Sequence, residues 1–415
     1  MAYDETTYRR QPDDSDDPAT FRNNGFSPTE YRRRRDFDSG EFSTASLQRM
    51  SRAAADDQGR DRVGVHLGWE IVLLLAVAAV GYLLYRLDPA TLRRPALDTL
   101  LISGTAIGLL TVGAGLTLRA GVPNLALGPI ALASALHYAE NGDQGLLDAA
   151  LPAAGIAAAG GLVVALLVIG LHVPGWLATL SAGLGVVVLD QMRAAPVAVQ
   201  GAYDPSDQAF YLFGGFAVLA VVGGALASAT PVRRLLGRMR PVGDPADRRG
   251  ALAALPVIGT LVISSVFAVG AGILMAAQSA EPIRPGTGLE WSGIAIGTAL
   301  VAGTSAYGRR GGIFGTLLAV AGLALFLDYS ERRDFDIALF AVGAALIGVG
   351  LAVTRLVETY GRPLEPGPSE EEWTGSAPAG GTNTWSPDLP ETWSPSPSAQ
   401  NRSERWDDGP WGTSR

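Results

Sequence analysis

Few side chains in this chain could carry out covalent or metal chemistry. It contains no cysteine and three histidines, His66, His137 and His172, which lie far apart in sequence. Thiolate catalysis, a disulfide framework and a cysteine-based zinc site are therefore excluded, and the histidines are too scattered to predict a metal centre. No lysine occurs either, so the GxxxxGK[ST] phosphate loop of an ATPase is impossible. We expect no catalytic residue, no metal and no cofactor, and hence no enzyme.

The polar residues of interest lie at predicted breaks or near the middle of long apolar stretches. Such side chains could hydrogen-bond to a neutral polar solute that crosses a membrane. They could equally cap helices or join them through hydrogen bonds that contribute about 0.6 kcal/mol each. The predicted solute path consists of Asn124, Gly128, Thr179, Gly303, Thr304 and Ser305.

Charged residues are scarce at membrane depth. Glu70, Asp148 and Asp190 each lie within one turn of a predicted helix end, where capping or snorkelling accounts for a carboxylate. His137, close to Glu140, is interpreted as an interfacial residue. Proton-coupled transport needs a chain of groups that titrate inside the membrane. The absence of such a chain makes a proton-driven secondary transporter the least favoured class.

Ten apolar segments position these residues. A helix needs roughly 20 mainly apolar residues to cross about 30 Å of hydrocarbon. The segments are 67–86, 97–118, 122–139, 146–170, 174–190, 209–229, 251–278, 289–305, 311–328 and 335–357. They predict an all-α polytopic membrane protein with a transmembrane domain over 63–358. The count falls if segment 122–139 or 289–305 is re-entrant.

The arginines predict the orientation of the segments. An even number of crossings places both tails on one side, and the loop 231–250 between segments six and seven carries six arginines. Arginine-rich loops stay in the cytoplasm, so this loop and the tails 1–62 and 359–415 are predicted to be cytoplasmic. The protein itself is predicted to lie in the plasma membrane. Both tails are polar and poor in aliphatic residues, which predicts disorder. The basic loop could also simply bind anionic lipid.

Two glycine-rich turns interrupt short segments. Leu118–Gly128 reads LRAGVPNLALG and Gly303–Gly315 reads GTSAYGRRGGIFG, and each follows an Ala-Ile-Gly triplet, Ala106–Gly108 or Ala295–Gly297, within about a dozen residues. We interpret them as matching breaks in two related halves of inverted orientation, although chance similarity among Ala/Gly-rich helices is an alternative. Paired broken helices of this kind indicate a substrate path near the membrane midplane.

Three stretches resemble the permease subunits of ribose-type ABC importers, of the sugar, nucleoside and branched-chain amino acid permease superfamily. Gly288–Leu317 is similar to the family's GGTSxxGGxGSxxGTL signature, Val173–Val186 to its VPAFIATLGMM segment, and Ala120–Gly128 to its GGIDLSVG element. The similarity runs in order over residues 97–357. The chain departs from the family at Asn124, which replaces an acidic residue, and at Ala302, which replaces a glycine.

The resemblance implies an importer permease and its partners. Two permease copies, or the chain and a paralogue, would form the pore in the bilayer, a solute-binding protein would deliver substrate outside, and an ABC ATPase would dock inside. No nucleic acid partner is implied. By analogy, the ATPase-coupling loop would contain Arg240, Gly243, Asp244, Ala246, Asp247, Arg248, Arg249 and Gly250.

The sequence therefore favours the membrane-spanning subunit of an ABC importer. It would move a small neutral polar solute, such as a sugar or nucleoside, by alternating access, while a separate ATPase chain hydrolyses ATP. The alternative is a membrane scaffold that transports nothing and whose tails, which carry tryptophans and arginines, recruit partners.

Overall fold

The computed structural model describes residues 63–229, 232, 254–306 and 312–361. These residues contain ten α-helices, which correspond one to one to the ten predicted segments. Apart from residue 232 and the last few residues of α10, the predicted coupling loop 231–250 and the tails lie outside the described residues. The helices are α1 (Val63–Leu87), α2 (Ala96–Ala120), α3 (Leu127–Asn141), α4 (Leu146–Gly170), α5 (Gly175–Gln191), α6 (Ala209–Ser228), α7 (Ala254–Gln278), α8 (Leu289–Val301), α9 (Gly315–Arg332) and α10 (Leu339–Gly361).

The helices fall into two length classes. Six are long and apolar enough to cross a membrane, by length and composition: α1, α2, α4, α6, α7 and α10. At 1.5 Å per residue, the 25 residues of α2 span about 37 Å. The 15 residues of α3 and the 13 of α8 span only about 22 and 20 Å, too little to cross the hydrocarbon. The described part is thus an all-α polytopic membrane protein with short helices embedded among long ones.

An antiparallel pair, α2 and α7, forms the centre of the bundle. Within their apolar stretches, 61% of α2 and 56% of α7 are buried, against 17% for α1. Small residues let the two helices approach closely: an added Cβ at Gly113 would lie 3.3 Å from the Cβ of Ser264. In lipid the hydrophobic effect does not drive one helix against another, so helices associate through van der Waals packing of this kind.

The packing around this pair repeats in the two halves. α7 packs on α3 and α4, and α2 packs on the corresponding helices α8 and α9. Likewise α3 packs on α5, and α8 packs on α10. The helices α1 and α6 do not follow the pattern, because α1 lies against α9 and α10 whereas α6 lies against α2 and α9. Two related halves of five helices are therefore visible in eight of the ten helices.

The bundle has two ends, which we name face 1 and face 2. At face 1, α1 begins and α8 ends, since Trp69 Nε1 donates a hydrogen bond to Val301 O at 2.8 Å. At face 2, α1 and α9 end, since Arg332 Nη1 lies 2.7 Å from Asp88 Oδ2. An isolated β-bridge between Val197 and Ile283 joins the α5–α6 and α7–α8 connections.

The proposed inverted pairing of the two glycine-rich turns is wrong. α2 and α8 run parallel and both end at face 1: Ile107 packs in one cluster with Ile294, and Gly115 lies near Thr304 further along. The turns after α2 and α8 therefore lie at the same face. The inverted counterpart of the α2–α3 connection is the α7–α8 connection, 279–288. The shared triplet does not identify inverted counterparts, because local sequence similarity carries no information about chain direction in the bundle.

Glycine at the α3–α7 contact is required by packing. A Cβ at Gly272 would collide with the carbonyl oxygen of Ala131, whereas a Cβ at Gly259 of the same helix meets nothing within 4 Å. We expect Gly272→Val to destabilise the protein by about 1–3 kcal/mol, the usual cost of overpacking, and Gly259→Val to have little effect. Thermal unfolding of both variants in one detergent tests this, and equal unfolding temperatures would contradict it.

Candidate functional site

Two half-helices meet inside the bundle. The first turn of α3 contacts the first turn of α8 at Gly128 and Gly288, where a Cβ on Gly128 would collide with the carbonyl oxygen of Gly288. Gly288 has φ +66°, a left-handed conformation that glycine adopts without strain. The predicted path residue Gly128 thus lies at a junction that only a residue without a side chain can form.

The junction lies at about half the depth of the bundle. Asn124 hydrogen-bonds Ser264 of α7, and the carbonyl of Ala131 approaches Gly272 two turns further along α7. Gly128 lies between Asn124 and Ala131 in sequence, so it is level with the middle of α7. Both helix N-termini, the positive ends of the helix dipoles, therefore point toward the centre of the membrane from opposite faces.

Ser292 bridges the two half-helices through its hydroxyl. The Gly128 N–H donates to Ser292 Oγ at 2.8 Å, and the same hydroxyl donates to Leu125 O at 2.8 Å. A helix start leaves N–H groups without partners inside the helix. One of these groups on α3 is thereby satisfied by a side chain 164 residues away.

Asn124 supports the connection between α2 and α3. Its Nδ2 donates to Ser264 Oγ at 2.9 Å, its Oδ1 accepts from Ala126 N at 3.1 Å, and its own N–H donates to Thr117 Oγ1 at 3.2 Å. The residue is buried, with 2% of its surface exposed. Of the two roles that the sequence left open for Asn124, this conformation displays the hydrogen bonding within the protein.

Thr179 of α5 holds the same connection from the other side. Its hydroxyl lies 2.8 Å from Pro123 O and 3.2 Å from Trp176 O, so it can donate to either carbonyl. The carbonyl of Pro123 lies at a break between helices and has no helical N–H to bond with, so it needs another donor. Thr179 supplies it and fixes α5 to the break.

The end of α8 contains the other three predicted path residues. Gly303, at φ +90°, donates its N–H to Leu300 O, and the N–H of Thr304 donates to Ala299 O at 3.0 Å. This pair of bonds is a Schellman motif, which closes a helix with a left-handed glycine. Thr304 and Ser305 follow it and are both buried. The structure therefore places these residues at face 1, away from the junction at Gly128.

Two neighbouring residues of α1 stabilise the break between α8 and α9. Trp69 donates to the last carbonyl of α8, Val301 O. Glu70 Oε1 accepts from Phe314 N at 2.8 Å and from Gly315 N at 3.2 Å, at the start of α9. A carboxylate at a helix N-terminus satisfies free donors and opposes the positive dipole end. Glu70 is a cap, as predicted, but it caps a helix 244 residues away.

A charged cluster at face 2 contains two carboxylates and one arginine. Arg193 binds Glu140 of α3 with both ends of its guanidinium, including Nη2···Oε2 at 2.9 Å. Asp190 of α5 is fully buried, its oxygens have no hydrogen-bond partner, and its nearest cation is Arg193 Nη1 at 3.8 Å. The prediction that capping or snorkelling accounts for Asp190 is wrong. The carboxylate lies in the last turn of α5, where the helix dipole opposes it.

A cavity of about 280 Å³ adjoins the α2–α3 connection, between α3, α4, α5 and α7. Asn124 lines it, and the other five predicted path residues do not. A second cavity of about 530 Å³ lies between α1, α8, α9 and α10, with apolar walls throughout. Each half of the bundle thus has space beside its half-helix.

The eight predicted coupling-loop residues lie outside the described residues. Gly288, Ser292 and Trp69 are important in the structure, yet the sequence did not assign any of them to the path. Gly288 belongs to the segment that carries the family resemblance, which was the available signal. Ser292 and Trp69 act through contacts with distant helices, which no local pattern indicates.

Replacing Glu70 should loosen α9. We expect Glu70→Leu to lower the free energy of unfolding by about 2–3 kcal/mol, because two N–H groups at the start of α9, that of Gly315 buried and that of Phe314 partly buried, lose a charged acceptor. Glu70→Gln keeps an oxygen that can accept both bonds and should cost much less. Thermal unfolding in detergent measures both, and an equally large loss for Glu70→Gln would show that the two bonds are not the source of the stability.

The two face 2 carboxylates should respond in opposite ways to substitution. Asp190→Leu removes a buried charge without hydrogen bonds, so we expect the unfolding temperature to rise. Glu140→Gln weakens an ion pair whose carboxylate is 35% exposed, so the loss should be only about 0.2–1 kcal/mol. A lower unfolding temperature for Asp190→Leu would mean that Asp190 has a stabilising partner.

No protein-family model, curated protein or solved structure matches this chain. Its described part is characterised by its geometry: two half-helices that meet at Gly128 and Gly288, and a cavity beside the first of them.

Proposed function

We propose that this chain is the membrane-spanning permease subunit of an ABC importer in the plasma membrane, moving a small neutral polar solute by alternating access. The observation that carries the proposal is the mid-depth junction of α3 and α8. Half-helices with N-termini facing one another from opposite sides are typical of transporter binding regions. A protein that only anchors partners has no need of interrupted helices at this depth.

The junction supports a mechanism in which the two halves move against each other. Here it is closed, because Gly128 and Gly288 are in backbone contact and Ser292 bridges the helices. Opening requires α3 and α8 to separate. At the junction the Ser292 hydroxyl makes the hydrogen bonds that join α3 and α8, so the separation breaks few bonds. The central α2–α7 pair can serve as the framework for that motion. The 280 Å³ cavity adjoins the α2–α3 connection that leads into the junction.

The hydrogen-bonding groups at the junction favour a neutral solute. The side chains that form hydrogen bonds around it, Asn124, Ser264 and Ser292, carry no charge. Glu290 in the first turn of α8 is half-buried, and its carboxylate already accepts a hydrogen bond from the Thr287 hydroxyl. In the present conformation these groups bond to one another, so a solute with hydroxyl or amide groups would have to replace those bonds.

Energy would come from a separate ATPase on the cytoplasmic side. The chain contains no lysine and so no phosphate loop of its own. A ligand shifts a conformational equilibrium only by its differential affinity for the two states, and nucleotide binding by the partner would provide that difference through the loop 231–250. A solute-binding protein outside and a second permease copy or paralogue complete the assembly.

Charge reversal in the loop 231–250 tests the docking of the ATPase. We expect Arg248→Glu with Arg249→Glu to abolish co-purification with an ATPase encoded beside this gene, because an acidic loop would repel the surface that the basic loop attracts. The matched control reverses Arg9 and Arg10 of the N-terminal tail and should leave co-purification intact. Unchanged association of the loop variant would remove the case for this docking site.

The orientation can be checked independently, because the chain has no cysteine to interfere. Arg238→Cys should react with a membrane-impermeant thiol reagent only in inside-out vesicles, and Ala202→Cys of the α5–α6 connection only in right-side-out vesicles. Labelling of Arg238→Cys from outside would be incompatible with an ATPase at this loop and would favour the scaffold.

A further inference from the structure

The 280 Å³ cavity exists because its walls are built from small side chains. α4 contributes two consecutive glycines and two alanines one turn apart, and α3 and α5 each contribute an alanine opposite them. None of these side chains is long enough to fill the space between the helices. The small residues are Ala133, Ala153, Ala157, Gly160, Gly161 and Ala182.

The polar groups in the walls bond to the protein. Ser134 and Ser265 donate their hydroxyl protons to backbone carbonyls, at 2.9 Å from Ala131 O and 2.8 Å from Leu261 O. Asn124 bonds Ser264, as described above. A sugar in this cavity would leave several hydroxyl groups unpaired, at about 1–3 kcal/mol each. A hydrocarbon would leave none.

The exposure of the walls shows where the cavity opens. The rear wall is buried: Ser134 and Val269 are 3% exposed and Leu261 is 1% exposed. The front wall lies on the outer surface of the bundle, because Ile156 of α4 is 73% exposed and Leu189 of α5 is 60% exposed. The cavity is therefore reached sideways from the bilayer, between α4 and α5, and not along the bundle axis from water.

We propose that this cavity binds one acyl chain of a bilayer phospholipid from the face 2 leaflet. The lining is mostly apolar and its serine hydroxyls are bonded to backbone carbonyls, so burial of each methylene of the chain is favourable. The Glu140–Arg193 pair lies at the face 2 end of the cavity: His137, one turn before Glu140, lines it, and Arg193 Nη1 lies 3.4 Å from the carbonyl of the lining residue Leu189. The chain enters with its headgroup at that polar end. This site is independent of the transport proposal.

The test uses the full-length protein in vesicles of phosphatidylcholine that carries a diazirine at the end of one acyl chain. After illumination, cross-links are mapped by mass spectrometry. We expect cross-links on the rear wall, at Val269 and Ser134, which the bilayer cannot reach except through the cavity. Cross-links confined to exposed residues such as Ile156 and Leu189 would overturn the proposal.

A matched pair of glycine substitutions on α4 identifies the cavity as the route. A Cβ meets nothing within 4 Å at either Gly160 or Gly155, so both positions accept leucine without a backbone collision. Gly160 lines the cavity and Gly155 does not. Gly160→Leu should lower rear-wall cross-linking about tenfold, the effect of excluding roughly two methylenes, and Gly155→Leu should not. Equal cross-linking in the two variants would contradict the proposal.

Two further measurements test whether a loss of rear-wall cross-linking comes from misfolding and whether water enters the cavity. If Gly160→Leu unfolds at a lower temperature than Gly155→Leu, Ala182→Leu fills the same space from α5 and must give the same loss. Val269→Cys should resist a water-soluble thiol reagent in vesicles. Rapid modification of that cysteine would show that the cavity holds water or a polar solute, and the proposal would then fail.

Discussion

The backbone contact between Gly128 and Gly288 is the constraint on which the rest of the described structure depends. Polar backbone groups at membrane depth have no water to bond with, so a helix that begins there must find partners inside the protein. α3 and α8 solve the problem together: their first turns are pressed against each other, and the Ser292 hydroxyl satisfies Gly128 N and Leu125 O. A larger side chain at either glycine would separate the turns and expose those groups.

The same requirement explains the polar residues around the other breaks. The α2–α3 connection is closed by Asn124 and Thr179, and the α8–α9 connection by Trp69 and Glu70. Each break is thus supported by a residue from a helix that is not adjacent in sequence. Polar side chains that would be candidate ligands in an open cavity act here as replacements for missing backbone partners. The closed conformation and its stability have one physical origin.

Asp190 differs from these polar residues, which bond to backbone groups at the helix breaks. It is buried without a hydrogen bond, while the nearby Arg193 is occupied by Glu140. A buried charge without a hydrogen bond, whose nearest cation is 3.8 Å away, is costly, and polar groups of this kind in membrane proteins usually have a function. Asp190 lies at the end of α5, beside the face 2 end of the 280 Å³ cavity, and the helix packing does not explain its burial.

The sequence by itself determined the ten helices, because the apolar length that a helix in a bilayer requires can be read from consecutive residues. It also identified the glycine-rich breaks, since the left-handed Gly303 follows from helix-closing chemistry within a few residues. It could not determine which breaks are inverted counterparts, what Asn124 and Glu70 bond to, or that Ser292 joins two halves. Those contacts link residues more than 100 positions apart, and only the packing of distant helices against one another brings them within hydrogen-bonding distance.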